Sequence, residues 1–121
     1  MIWVKKTTPD REFDEGIIQQ VCKRFEVTVK QMESKNRKRE IVEPRQIVFY
    51  LLWRYSYSSL KTIGRYFNRD HTTVIHGRDT VQNLIDTDDV YRQEIQRFEE
   101  TLTGLRPVRE RVSGPQGNWV S

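Results

Sequence analysis

Residues 58–77 constrain the fold more than any other stretch, because they set two helix patterns about a link of two residues. Ser58-Ser59-Leu60-Lys61-Thr62-Ile63-Gly64-Arg65-Tyr66-Phe67 reads as a short amphipathic helix. Ser58 or Ser59 caps it, and Leu60, Ile63 and Phe67 face inward. Asn68-Arg69 is the link. Asp70-His71-Thr72-Thr73 then opens a longer helix whose first turn is polar. Val74, Gly77, Val81 and Leu84 step by three and four and form its inner stripe. Gly77 on that stripe lets a neighbouring helix approach closely. The outer face holds His71, Thr72, Ile75, His76 and Asp79. A short helix, a tight turn and a longer helix make a helix-turn-helix pattern. In that pattern the second helix enters the major groove of DNA, and its N-terminal side chains read base edges.

The flanking segments supply the rest of a small helical domain. Residues 1–9 read as a flexible arm ending at Thr8-Pro9-Asp10. A helix is expected from there to about Phe25, with Phe13, Ile17, Ile18, Val21, Cys22 and Phe25 at helical spacing. Thr28-Val29-Lys30-Gln31 has the form of a capping box, and Met32 would anchor the short helix it starts. Residues 34–40 contain no apolar side chain, so that loop must be exposed. Glu43-Pro44 is a helix-start signal. The helix expected after it runs through Ile47, Val48, Tyr50, Leu51, Leu52 and Tyr55. It is apolar almost all round and so is predicted to be central and buried. Thr87-Asp88-Asp89 starts a last helix carrying Val90, Tyr91, Ile95, Phe98 and Leu102, which Gly104 ends. The expected organisation is an arm over 1–9, one domain over 10–103 and a disordered tail over 104–121.

Charge is distributed unevenly. The whole chain carries +4, but residues 35–78 hold ten Lys/Arg against three acids, and residues 86–100 hold six acids against two arginines. A solvated surface would show such an excess too. Beside a helix-turn-helix pattern it points to a cationic face for nucleic acid. Cys22 is the only cysteine, so no internal disulfide can form. Its place on an apolar stripe predicts a small buried hydrophobe. No long apolar run or signal peptide is present, and Met1-Ile2-Trp3-Val4 is too short to be either. The chain therefore reads as cytoplasmic, with no membrane partner.

Catalysis finds no support. His71 and His76 lie five apart, about 140° round a helix, so they do not share a face as metal ligands would. No cysteine has metal spacing, no carboxylate pair stands out, and no Gly-x-x-x-x-Gly-Lys-Ser/Thr motif occurs. The expectation is a protein that is not an enzyme, with no cofactor, metal or small-molecule substrate. The candidate residues are those for DNA. Arg37, on the exposed loop, can enter the minor groove, where A·T-rich segments concentrate negative potential. Lys35, Lys38 and Arg39 offer phosphate contacts. Asp70 can accept from cytosine N4, or cap the helix, or do both with its two oxygens. Thr72 and Thr73 can set methyl groups against thymine. Arg45, Gln46, Arg54, Ser59 and Lys61 are expected near helix ends on the same side as backbone contacts. The Leu60 N–H at a helix start can do the same, and Arg69 and His76 complete that set.

Three spaced motifs carry a family resemblance. Asp70-His71-Thr72-Thr73-Val74 is one. The basic run Ser34-Lys35-Asn36-Arg37-Lys38-Arg39 followed by Pro44-Arg45-Gln46 is the second, and Ser59-Leu60 with Ile63-Gly64 is the third. Together they resemble the C-terminal DNA-binding domain of the bacterial replication initiator DnaA, over residues 17–102. The resemblance implies an all-α, Trp-repressor-like helix-turn-helix domain of about six helices. It matches Arg37 to the arginine that enters the minor groove and His71 to a base contact. It implies sequence-specific binding of double-stranded DNA at DnaA-box-like sites, in a replication-initiation accessory, a competitor of the initiator or a transcription regulator. The implied protein partners are the replication initiator or other replication proteins. The family's full-length members also carry an ATPase module; the resemblance here is to the DNA-binding end alone. Where the family has two glycines before Arg-Asp, this chain has Phe67-Asn68-Arg69-Asp70, one residue shorter. Asparagine tolerates the left-handed conformation, so a tight turn is expected to survive. The competing class is a protein-interaction adaptor that keeps the fold and presents Phe49, Tyr50, Trp53 and Tyr57 to a partner. Steep loss of affinity with salt would mark the DNA binder.

Overall fold

The computed structural model describes residues 11–101. They form six helices and, among the described residues, no strand. The helices are α1 (Arg11–Phe25), α2 (Val29–Glu33), α3 (Arg39–Tyr55), α4 (Leu60–Arg65), α5 (His71–Thr87) and α6 (Asp89–Glu100). The all-α architecture expected from the periodicities is the one found. The arm and the tail lie outside the described residues, as do Leu102 and Gly104.

Local chemistry sets most of the boundaries. Thr28 caps α2 by a complete box: its hydroxyl accepts from Gln31 N at 3.0 Å, and Gln31 Oε1 accepts from Thr28 N at 2.8 Å. Ser59 caps α4 and Asp88 caps α6, each accepting first-turn N–H groups. The start of α3 departs from expectation. The helix begins at Arg39, not at Glu43-Pro44, so Pro44 lies inside it. A proline at this depth withholds only the bond to the carbonyl of Glu40, and Glu40 is exposed to solvent. The helix is already closed before it by Ile41 N and Val42 N, which both donate to Lys38 O at 2.9 Å. The loop therefore shortens to residues 34–38, and Arg39 becomes the first residue of α3.

Helix α3 runs through the middle of the domain and packs mainly against α5 and α1. Residues 47–53 are buried without a break. Phe49 meets Phe67 of the α4–α5 turn edge to face at 5.7 Å, and Phe25 of α1 stacks with Phe98 of α6 at 6.1 Å. Phe49, Tyr50 and Trp53 are at most 1% exposed, so the aromatic face an adaptor would need is inside the core. Tyr57 alone of those four reaches the surface, at 37%. On α5 the inner stripe is Val74, Gly77, Val81 and Ile85; Leu84, expected there, is only half-buried. Gly77 is where α5 meets α3: a Cβ there would lie 2.8 Å from Phe49 Cδ2. Helix α6 is held to α3 by Glu99, whose Oε2 accepts from Arg54 and, at 2.7 Å, from the Tyr55 hydroxyl. No helix among the described residues is long and apolar enough to cross a membrane.

Candidate nucleic-acid interface

The turn between α4 and α5 is built by Gly64, Phe67, Asn68 and Arg69. Phe67 N and Arg69 N both donate to Gly64 O, at 3.0 and 2.9 Å. Asn68 takes φ 59°, the left-handed conformation expected of it. Gly64 leaves room for the returning chain: a Cβ there would stand 2.4 Å from Arg69 O. The shortened link thus still reverses the chain within a few residues.

Asp70 then caps α5. Its Oδ1 accepts from Thr73 N at 2.9 Å and from the Thr73 hydroxyl at 3.2 Å. Those two bonds, the backbone one first, hold the carboxyl below the usual carboxylate range. Both bonds fall on Oδ1, so the cap leaves Oδ2 outside it. Beyond the cap, His71 and Thr72 are exposed, Thr73 is half-buried, and His76 is exposed one turn further on. Ser59 has its hydroxyl in the cap of α4, accepting from Thr62 N at 3.1 Å, while Lys61 beside it is exposed. Gln46 is half-buried against Gly77 of α5.

The basic loop is shaped by its own side chains. Ser34 Oγ donates to Gln31 O at 2.6 Å and accepts from Asn36 N at 3.3 Å. Asn36 Oδ1 accepts from Lys38 N at 2.8 Å. These local bonds close the backbone and leave Lys35, Arg37 and Lys38 exposed. Arg39 is exposed too and pairs with Glu43 at 3.1 Å.

Three arginines lie largely inside the domain and a fourth, the half-buried Arg69, spends its guanidinium on main-chain carbonyls. Arg45 is 7% exposed and donates to Met32 O at 3.0 Å. Burial, then the charge of Arg69, lowers its pKa from the ordinary value. Arg54 lies in the ion pair with Glu99, its side chain 12% exposed. Arg78 is fully buried, with its guanidinium 4.9 Å from the Trp53 ring centre and 3.0 Å from Asp79. Arg69 bends back over the turn: Nη1 donates to Phe67 O at 2.7 Å and Nη2 to Ser34 O at 2.6 Å. Two guanidinium groups therefore serve the carbonyl end of α2, which a helix C-terminus leaves without partners.

Two functional supports escaped the sequence reading. Asn36 is one; its place in a Ser-x-Asn-x-Lys run with no apolar residue is the only local sign. Asp14 is the other. It is fully buried, and its Oδ2 accepts from the Ser58 hydroxyl and, at 2.6 Å, from Tyr66 Oη. It ties α1 to both ends of α4. Burial, then the bond to Asp14, pushes the Tyr66 hydroxyl up to about 12. The available signal was its phase: position 14 lies in register with Ile17, Ile18, Val21 and Cys22 on the buried stripe.

Comparison with known proteins fits this geometry. Residues 15–81 match the family described as bacterial DnaA protein helix-turn-helix. The chromosomal replication initiator protein DnaA of Bacteroides thetaiotaomicron is 37% identical over 89 residues, which is 73% of this chain and 19% of that protein. That of Chloroflexus aggregans is 38% identical over 93 residues, 76% of this chain and 20% of that protein. That of Wolbachia pipientis wMel is 40% identical over 87 residues, 71% of this chain and 19% of that protein. The chain spans about a fifth of the length of the curated relatives it matches. With its turn closed about Gly64 and more than half its length matched, the chain belongs to the bacterial DnaA helix-turn-helix family of DNA-binding domains.

Proposed function

We propose that the domain binds double-stranded DNA sequence-specifically at DnaA-box-like sites, as a replication-initiation accessory or a transcription regulator. The first turn of α5 enters the major groove, where Asp70, His71, Thr72 and Thr73 meet base edges. Arg37 enters the adjacent minor groove. Lys35, Lys38, Arg39 and Lys61 reach phosphates, with Ser59, the Leu60 N–H, Gln46 and His76 close to the backbone. Arg45, Arg54 and Arg69 are left out of this set because the guanidinium of each is engaged within the domain. The observation that carries the reading is the pairing of two exposed, polar tips, the loop at Arg37 and the start of α5 at His71-Thr72. The adaptor alternative loses its surface, since three of its four aromatic residues are in the core.

The test compares Arg37→Ala with Thr72→Ala on a panel of single-base-pair changes. Both side chains are exposed, so both variants keep the wild-type melting temperature. Arg37→Ala weakens binding and alters preference only between A·T and G·C, because the minor groove distinguishes little else. Thr72→Ala costs about 1–3 kcal/mol on the best site and much less on random duplex. Equal weakening of every duplex by Thr72→Ala would show that α5 does not read base edges through this residue.

A further inference from the structure

We propose that Arg69 is a positioning residue that fixes the spacing between the loop carrying Arg37 and the start of α5, and so sets which half-groove spacing a DNA site must have. The proposal rests on the two-groove reading above and adds to it the part that joins the two tips. The loop of residues 34–38 is short; its bonds run within itself, back to the end of α2 and, through Lys38 O, to the first turn of α3. The recognition helix starts on the far side of a turn more than thirty residues later in the chain. Arg69 bridges the gap. Its Nη2 donates to Ser34 O at 2.6 Å, and its Nη1 donates to Phe67 O at 2.7 Å and to Glu33 O at 3.3 Å.

One planar guanidinium thus holds carbonyls from the start of the loop and from the turn that leads into α5 at once. Arginine suits this, because its donors form a rigid fork with fixed directions. The residue cannot swing away independently, since its N–H is fixed on Gly64 O at 2.9 Å and it directly precedes the Asp70 cap. Arg45 steadies the same carbonyl end from behind, on Met32 O. A base pair in one strand advances about 3.4 Å, so a rigid bridge of this kind makes a one-base-pair error in spacing costly to accommodate.

The experiment uses two duplexes. The first is the sequence the protein selects from a random pool. The second carries one extra base pair between the positions at which Arg37→Ala and Thr72→Ala change preference. Wild type is expected to prefer the first by roughly tenfold, the size of one misplaced base contact. Arg69→Ala and Arg69→Lys are expected to lower that preference to about twofold, because the loop and helix then adjust separately. Lysine keeps the charge but presents no fork, so it carries the test if the alanine variant does not fold. If Arg69→Lys keeps the wild-type preference, Arg69 acts as a charge; if both variants weaken the two duplexes equally, it bears on affinity and not on spacing; either result overturns the proposal. A wild type indifferent to the insertion would overturn the two-groove reading itself.

Discussion

Gly64 offers a test in which one added methyl group bears on both stability and recognition. A Cβ at this position would lie 2.4 Å from Arg69 O, 3.2 Å from Arg69 C and 3.2 Å from Asp70 O. All three are main-chain atoms, so no rotamer change relieves the contact. Carbon and oxygen in ordinary contact need about 3.4 Å or more, so the backbone at 69–70 must retreat by roughly 1 Å. Overpacking of this kind costs about 1–3 kcal/mol, while alanine in a helix recovers up to about 1 kcal/mol over glycine. The net expectation for Gly64→Ala is a loss of about 1–2 kcal/mol, or a melting temperature lower by roughly 5–15 °C. The displaced segment carries Arg69 and the Asp70 cap, so affinity for the selected site should fall by about tenfold more than affinity for random duplex. Gly16→Ala is the matched control. Gly16 is an exposed helix residue with nothing within 4 Å of its added Cβ, so the same change there should stabilise by about 0.5–1 kcal/mol. Thermal unfolding followed by circular dichroism, with binding titrations on the two duplexes, measures both effects. Gly64→Ala melting at or above wild type would refute the account of the turn.

Other outcomes follow from the same geometry. Four phosphate contacts, from Lys35, Lys38, Arg39 and Lys61, correspond to a salt slope near −3.6 and a loss of about 150-fold between about 50 and 200 mM salt; a flat titration contradicts DNA binding, and a slope near −9 contradicts the internal placement of the arginines. Glu99→Ala should cost about 2–3 kcal/mol in denaturant unfolding, because it leaves the guanidinium of Arg54, its side chain 12% exposed, without its carboxylate, and DNA affinity at temperatures well below melting should not change. The Asp70 cap, whose carboxyl is held below its ordinary range, contributes stability that is present above that range and is lost as pH falls through the lowered value. The Thr73 amide resonance should therefore titrate below a free aspartate, and a midpoint at or above one contradicts the cap.

The parts of this fold legible in sequence are those decided within a few residues. Thr28 with Gln31, Ser59, Asp70 and Asp88 each cap a helix through bonds to residues two or three positions away. The left-handed Asn68 is a choice among few residue types, and Gly77 marks a close approach by lacking a side chain. Two misreadings have causes that can be named, one local and one tertiary. Pro44 carried the usual meaning of a helix start, yet a helix tolerates it one turn later when the lost bond falls on an exposed residue, here Glu40. Leu84 and Ile85 both continue the three-and-four stepping after Val81, and only the packing of α3 and α6 against α5 decides between them.

The candidate site was harder to see, and the arginines show why. A run of ten cations among residues 35–78 suggests a surface of that charge. Whether a given arginine reaches the surface depends on what distant segments present to it. Arg45 finds Met32 O 13 positions away, and Arg54 finds Glu99 45 positions away. Arg69 finds Ser34 O 35 positions away. Arginine accepts such places because its stem is apolar and its charge is spread over a plane that can both stack and fork. Lysine, more strongly hydrated, stays out: Lys35, Lys38 and Lys61 are all exposed. Under the proposed reading the lysines, with Arg37 and Arg39, are left to meet DNA, while Arg45 and Arg69 hold the end of α2 and the turn before α5. That division of labour follows from the chemistry of the two side chains, and it is visible only once the chain has brought the end of α2 beside the turn before α5.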